Sequence, residues 1–274
     1  MMLDYQEQIE KINRIQPLNP ALMELLTVIQ DSHSQAQDLE LIINSDASTS
    51  ATILKLANSP FYGMSGRIKK VRDACVLLGV DQLRNIIYAT ALDQASGKGP
   101  HQSWRDQLRM HTLATALICS ELARFQQPKL DRGQAYSLGL LHELGKQVLL
   151  SEMPYLFDEL LGPETSESLE FLPKLFVEAG VMISRKWRLP PEFEWSVKHD
   201  EAAPDEFKPI VNLVHCGHCL AQGLGFPTLG EIKEVDVMAT LQVHYPDIDP
   251  GPISEELSNI LTDHGELTME FSVE

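Results

Sequence analysis

The string Leu140-Leu141-His142-Glu143-Leu144-Gly145-Lys146 sets an imidazole beside a carboxylate, with a glycine and a lysine just after. A histidine, a carboxylate and an ammonium group can together hold a divalent cation and a phosphate. Neighbours on a helix point about 100° apart, so His142 and Glu143 reach one ion only where a helix ends. Gly145 is suited to be the C′ residue of such an end. The same residues also make an ordinary polar helix terminus, because two ligands do not make a site.

A second group with chemical potential is His215-Cys216-Gly217-His218-Cys219. Its Cys-x-x-Cys is half of many structural zinc sites, which need a second pair. The other two cysteines, Cys75 and Cys119, are isolated in the sequence. The favoured reading is a small-residue contact within a buried helix. A third candidate is His111, on a stripe with Thr115, Ile118 and Leu122. A histidine on an apolar stripe is more often a satisfied core residue than a ligand.

The elements that carry these residues are expected to be helices. Asn19-Pro20 starts one, with Leu22, Leu25, Leu26 and Ile29 on its buried face. Short helices follow around Leu39 and Ile43, and around Ile53 and Ala57 after a polar turn at residues 45–50. Another helix carries Val71, Ala74, Cys75 and Leu78 and closes at Gly79; Asp81 caps the next. Residues 94–103, polar and Gly-rich, read as the linker between two helical units. The second unit opens with a long helix from Trp104 to Phe125 that carries His111. The His142 helix follows, then helices from Pro173 to Trp187, from Pro191 through His199, and from Pro209 to Leu224. A last helix lies near Ile253–Leu261, and Leu267-Thr268-Met269-Glu270-Phe271 could be extended.

The 274-residue chain is 43% hydrophobic but only 7% aromatic, a composition that favours helix packing. Its formal net charge of −17 repels phosphate backbones and anionic lipid, which argues against nucleic-acid and membrane partners. No apolar run approaches the roughly 18 residues a spanning helix needs, and the start has no basic region followed by an apolar stretch. Four cysteines do not form a disulfide framework in a chain this long. A cytoplasmic protein with reduced thiols is expected.

Several segments together resemble the HDOD family, a divergent branch of the HD metal-dependent phosphohydrolase superfamily. They are Leu54-Lys55-Leu56-Ala57-Asn58-Ser59-Pro60-Phe61-Tyr62-Gly63, then Ala74-Cys75-Val76-Leu77-Leu78-Gly79-Val80-Asp81-Gln82-Leu83-Arg84-Asn85. In the second half they are His111-Thr112-Leu113-Ala114-Thr115-Ala116, Gly139 through Lys146, and Trp187-Arg188-Leu189-Pro190. The resemblance covers about residues 15–225. It implies an all-α protein: a smaller N-terminal helical subdomain, residues 1–95, packed on an HD-like bundle, residues 104–274. It also implies a bacterial regulatory role.

Catalytic relatives gather histidines and aspartates around one or two metals. His111 fits the first His and His142 the second, while the paired Asp is replaced by Glu143, whose carboxylate reaches about 1.5 Å further. Phe176 stands where a histidine is common, and one of two paired histidines remains, as His199. The late Asp position corresponds to His218. The expected metal ligands are thus His111, His142, Glu143 and His199, with Lys146 as a phosphate contact. They could gather one divalent ion (Zn, Mn, Fe or Mg), or pair only with one another and the backbone. Lost ligands weaken control of the bound water, so a non-catalytic signalling protein is favoured, acting on a protein partner or a small phosphate-containing ligand. The alternative is a phosphohydrolase acting on nucleotides, cyclic dinucleotides or phosphoesters. In either case the ring nitrogens of His111 and His142 are expected within about 5 Å of each other.

Overall fold

The computed structural model describes residues 4–31, 33–58, 66–97, 99–126, 129–161, 171–198, 203–229 and 234–269. These residues are helical with no strand among them. Among them no helix is long and apolar enough to cross a membrane.

Local capping explains where several helices begin. Asp4 accepts from the Glu7 amide to start α1, Tyr5–Arg14. Asn19 accepts from the Leu22 amide at 2.8 Å to start α2, Pro20–Val28, with Pro20 in the first turn as expected. Helix α3 spans Ala36–Ser45. A single residue, Asp46, then separates it from α4, Ala47–Ala57, by accepting from the Thr49 amide at 2.7 Å. The polar turn expected at residues 45–50 is therefore one capping residue, because an Asp at N-cap begins a new helix at once. The Ser59-to-Gly63 part of the family string lies outside the described residues.

Helix α5, Val71–Ser96, breaks at Gly79 as expected, and two helical halves meet there across a kink. Gly79 has φ 75 and ψ 173, a conformation open to glycine and costly for other residues. The linker is shorter than expected: residues 94–96 end α5, and Gln102 already begins α6, Gln102–Leu122. Arg105 secures this connection. Its guanidinium, 4% exposed, donates to the carbonyls of Ser96, Pro100 and Leu150. Arg105→Ala would leave three carbonyls without their donor, and a loss of about 2–4 kcal/mol is expected. Chemical denaturation checks this, and a loss under about 1 kcal/mol would contradict it.

The remaining helices are α7 (Arg132–Leu141), α8 (Leu144–Glu152), α9 (Tyr155–Leu161), α10 (Leu172–Lys186), α11 (Pro191–Lys198), α12 (Lys208–Gly223), α13 (Val237–His244) and α14 (Pro250–Met269). Helix α13 had no expectation from the sequence, and Leu267 to Met269 continue α14 instead of extending. A continuous apolar core joins Leu25, Ile43 and Ile87 of the first half to Ile118, Leu138 and Val214 of the second. A second cluster around Phe157, Leu175 and Phe176 takes in Ile12 of α1 and Leu108 of α6.

Three glycines let the site-bearing helices approach closely. A Cβ on Gly139 of α7 would lie 2.8 Å from Ala116 Cα of α6. One on Gly217 of α12 would lie 2.6 Å from Cys119 Sγ of α6. One on Gly145 of α8 would overlap the Phe176 carbonyl oxygen of α10 and lie 2.7 Å from the Gly180 nitrogen.

Candidate metal centre

Helix α7 ends at Leu141, and His142 and Glu143 form the two-residue break before α8. The break falls earlier than expected. Gly145 is not the C′ residue of the first helix but sits in the first turn of the second. Its small size serves the α8–α10 contact, not the turn. At the break the two side chains escape helical geometry, so both can turn to one point.

That point lies between α6, α7 and α12. His111 comes from the buried stripe of α6, and His218 from the corresponding stripe of α12 with Val211, Val214 and Ala221. His111 Nε2 is 3.3 Å from His142 Nε2 and 3.0 Å from His218 Nδ1. His142 Nε2 is 3.1 Å from His218 Nδ1. A Glu143 oxygen lies 4.0 Å from His111 Nε2. The four donor atoms all lie within 4.8 Å of one another, a group that could hold one metal ion.

Hydrogen bonds on the far side of the rings set their tautomers. His111 Nδ1 is 2.7 Å from the Phe226 carbonyl oxygen, and His142 Nδ1 is 2.7 Å from the Gly139 carbonyl oxygen. A carbonyl only accepts, so each Nδ1 donates and each Nε2 turns its lone pair to the cluster. The Gln222 amide meets His218 Nε2 at 2.7 Å, one turn along α12; with the amide turned to put its carbonyl oxygen on that nitrogen, Nε2 donates and Nδ1 turns its lone pair to the other two rings.

Burial pushes His111 below the ordinary imidazole value, which Glu143 opposes and His218 reinforces. A neutral ring results, the state a metal ligand needs. Burial also opposes ionisation of Glu143, but the Lys146 ammonium, backed by the three imidazoles, holds that carboxyl well below its usual range. Glu143 is thus a carboxylate. Lys146 Nζ lies 2.6 Å from Glu143 Oε1 and 3.1 Å from Thr228 Oγ1. The hydroxyl of Thr228 meets the carboxylate at 2.6 and 2.8 Å.

The donor set fits a first-row transition ion. Bonds of about 2.0–2.1 Å in a tetrahedral site give donor–donor edges of about 3.3–3.4 Å. The three nitrogen edges, 3.0 to 3.3 Å, match within a few tenths of an ångström, and the carboxylate, 4.0 Å from His111 Nε2, needs to move inward by about 0.6 Å or more. Three imidazoles and one carboxylate suit zinc or iron better than magnesium, which prefers oxygen.

Of the residues expected from the sequence, His111, His142, Glu143 and Lys146 come together here, and His199 lies outside the described residues. Phe176, where a histidine is common, packs in the second core cluster and stacks on Phe157. His218, at the late Asp position of the family resemblance, joins the four expected residues as a full member. The signal was its place on the apolar stripe of α12, the same feature that marked His111. Thr228 and the Phe226 carbonyl carried no signal, since they reach the site from the irregular segment after α12.

Residues 15–203 match the HDOD domain family. The crystal structure of an HDOD domain protein of unknown function from Geobacter sulfurreducens aligns with a TM-score of 0.74 at 22% identity. It covers 94% of this chain and 93% of that one. An uncharacterized protein of Treponema pallidum (strain Nichols) is 25% identical over 218 residues, 75% of this chain and 42% of its own length. The uncharacterized protein YuxH of Bacillus subtilis (strain 168) is 30% identical over 150 residues, 55% of this chain and 33% of its own length. The chain thus spans less than half the length of these two relatives.

Proposed function

The chain belongs to the HDOD family, and on that footing we propose that it is a bacterial, cytoplasmic signalling protein whose metal centre organises the fold and does not turn over substrate. His111, His142, His218 and Glu143 bind one zinc or iron ion. The protein then acts by presenting its acidic surface to a protein partner.

The observation that carries this reading is enclosure. His111 is 0% exposed, His142 2%, Glu143 7% and His218 8%. Hydrolytic metal sites keep a coordination position open to water and substrate, whereas structural sites are closed. Here residues 226–228 lie along the cluster, with the Phe226 carbonyl on His111 and Thr228 on Glu143. Gln107 fixes that segment through the Pro227 and Thr228 carbonyls.

One observation favours the second reading, a phosphohydrolase. Lys146, an ammonium group beside the cluster, would clamp a phosphate if residues 226–228 swung away. Hydrolysis of bis(p-nitrophenyl) phosphate and of cyclic di-GMP after reconstitution with Zn²⁺, Mn²⁺ or Fe²⁺ separates the two. Turnover at background in every metal is expected. Metal-dependent turnover that His142→Ala abolishes would establish the enzyme instead.

A further inference from the structure

The Cys-x-x-Cys pair of the second motif is divided by α12. Cys216 is buried beside Cys119 in the core, and its thiol is pushed up by burial. Cys219 turns outward and is the one cysteine of the four that is not buried. The two thiols are near neighbours, but among the described residues no second pair joins them to complete a four-ligand zinc site. What stands on the solvent side of α12 is different: His215 and Cys219, one turn apart, with His244 of α13 facing His215.

We propose that His215, Cys219 and His244 form a second, partly exposed metal site that takes Zn²⁺ between α12 and α13. Two ligands at i and i+4 on one helix share a face and chelate readily. Cys219 Sγ lies 3.8 Å from His215 Nε2. Zinc bonds of about 2.3 Å to sulfur and 2.0–2.1 Å to nitrogen, at the tetrahedral angle, put these atoms about 3.6 Å apart. The His215 and His244 rings are 6.1 Å apart at their centroids, tilted by 54°.

Two imidazoles on one zinc, with nitrogen bonds of about 2.0–2.1 Å at the tetrahedral angle, put their ring centroids about 5.2 Å apart. The outer pair needs about 1 Å of closure, within reach of a partly exposed side chain on a short helix. Sulfur and imidazole donors together select zinc over calcium, magnesium or manganese. The fourth position belongs to water. The ion would pin α13, eight residues long with Leu241 as its buried anchor, onto the bundle. This site uses none of the residues of the buried cluster and stands or falls separately from it.

Cys219 makes the test direct, because it is the accessible thiol. In the full-length protein, alkylation of Cys219 followed by mass spectrometry is expected to slow about tenfold at Zn²⁺ ten times above the dissociation constant. His244→Ala and His215→Ala should each abolish the protection, and His33→Ala, an exposed histidine of the first half, should leave it intact. A second readout is cobalt(II), whose thiolate charge-transfer absorption can arise at this site but not at the sulfur-free buried cluster. That band should vanish in Cys219→Ser. Alkylation indifferent to zinc, protection that survives both histidine changes, or a cobalt band that persists in Cys219→Ser would overturn the proposal.

Discussion

Replacing His218 with alanine is expected to weaken metal binding at the buried cluster by at least about 100-fold. Loss of a supporting group alone typically costs 10- to 100-fold, and His218 is proposed as a ligand. Its Nδ1 stands 3.0 Å and 3.1 Å from the other two imidazole nitrogens, so it closes the triangle on which an ion would sit. Without it, two imidazoles and a carboxylate already paired with Lys146 and Thr228 remain. Competition with a chelator, in a Cys219→Ser background to remove the outer site, measures the effect. The partner change His215→Ala, three residues earlier but on the solvent side of α12, should leave this affinity within about twofold, as expected of a residue with no contact to the ion. Equal effects from the two changes would mean that His218 acts through the helix and not as a ligand. Circular dichroism should show a helical protein in both cases.

Gly145→Ala should produce the largest loss of stability among glycine-to-alanine changes at the described residues. A Cβ there would overlap the Phe176 carbonyl oxygen and sit 2.7 Å from the Gly180 nitrogen. Both obstacles are backbone of α10, which cannot rotate away as a side chain can. Relief requires α8 and α10 to separate, which would open the core around Phe176 and shift the break that carries His142 and Glu143. Overpacking typically costs 1–3 kcal/mol, and a backbone clash lies at or above the upper end, about 3 kcal/mol or more. For a chain of this size that lowers Tm by about 6–12 °C. Gly251→Ala is the control: its Cβ would meet only Asp249 Oδ1, at 3.4 Å, on the first turn of α14. Pro252 follows and crowds a Cβ on this helical residue, so that change should cost no more than about 1 kcal/mol. Similar losses from both would contradict the account of the α8–α10 contact.

The contrast between these two residues shows what the sequence makes legible. Gly145 follows a His-Glu pair, so the string reads naturally as a helix end. The end is real but falls at His142 and Glu143, and glycine is required by a helix 30-odd residues away in sequence. Close approach between distant segments leaves no local trace. Patterns that act within one or two turns were readable: the Asn19-Pro20 start, the break at Gly79 and the stripe carrying His111. Where the reading failed locally, as at residues 45–50, one capping Asp did the work of a whole turn. His218 stands at the late Asp position of the family resemblance, but the surrounding cysteines draw attention instead to a Cys-x-x-Cys site, which has no second pair among the described residues. Thr228 belongs to an irregular segment without periodicity, and only the tertiary fold brings its hydroxyl to Glu143.

The central claim is that three imidazoles and one carboxylate form a closed metal centre. Anomalous diffraction at the zinc edge, on crystals of the zinc-loaded protein, tests it most directly. The account predicts a peak within about 2.0–2.2 Å of His111 Nε2, His142 Nε2, His218 Nδ1 and a Glu143 oxygen, with no water or phosphate on the ion. Absence of a peak there would contradict the metal centre, and a peak that carries an exchangeable water would contradict its closure.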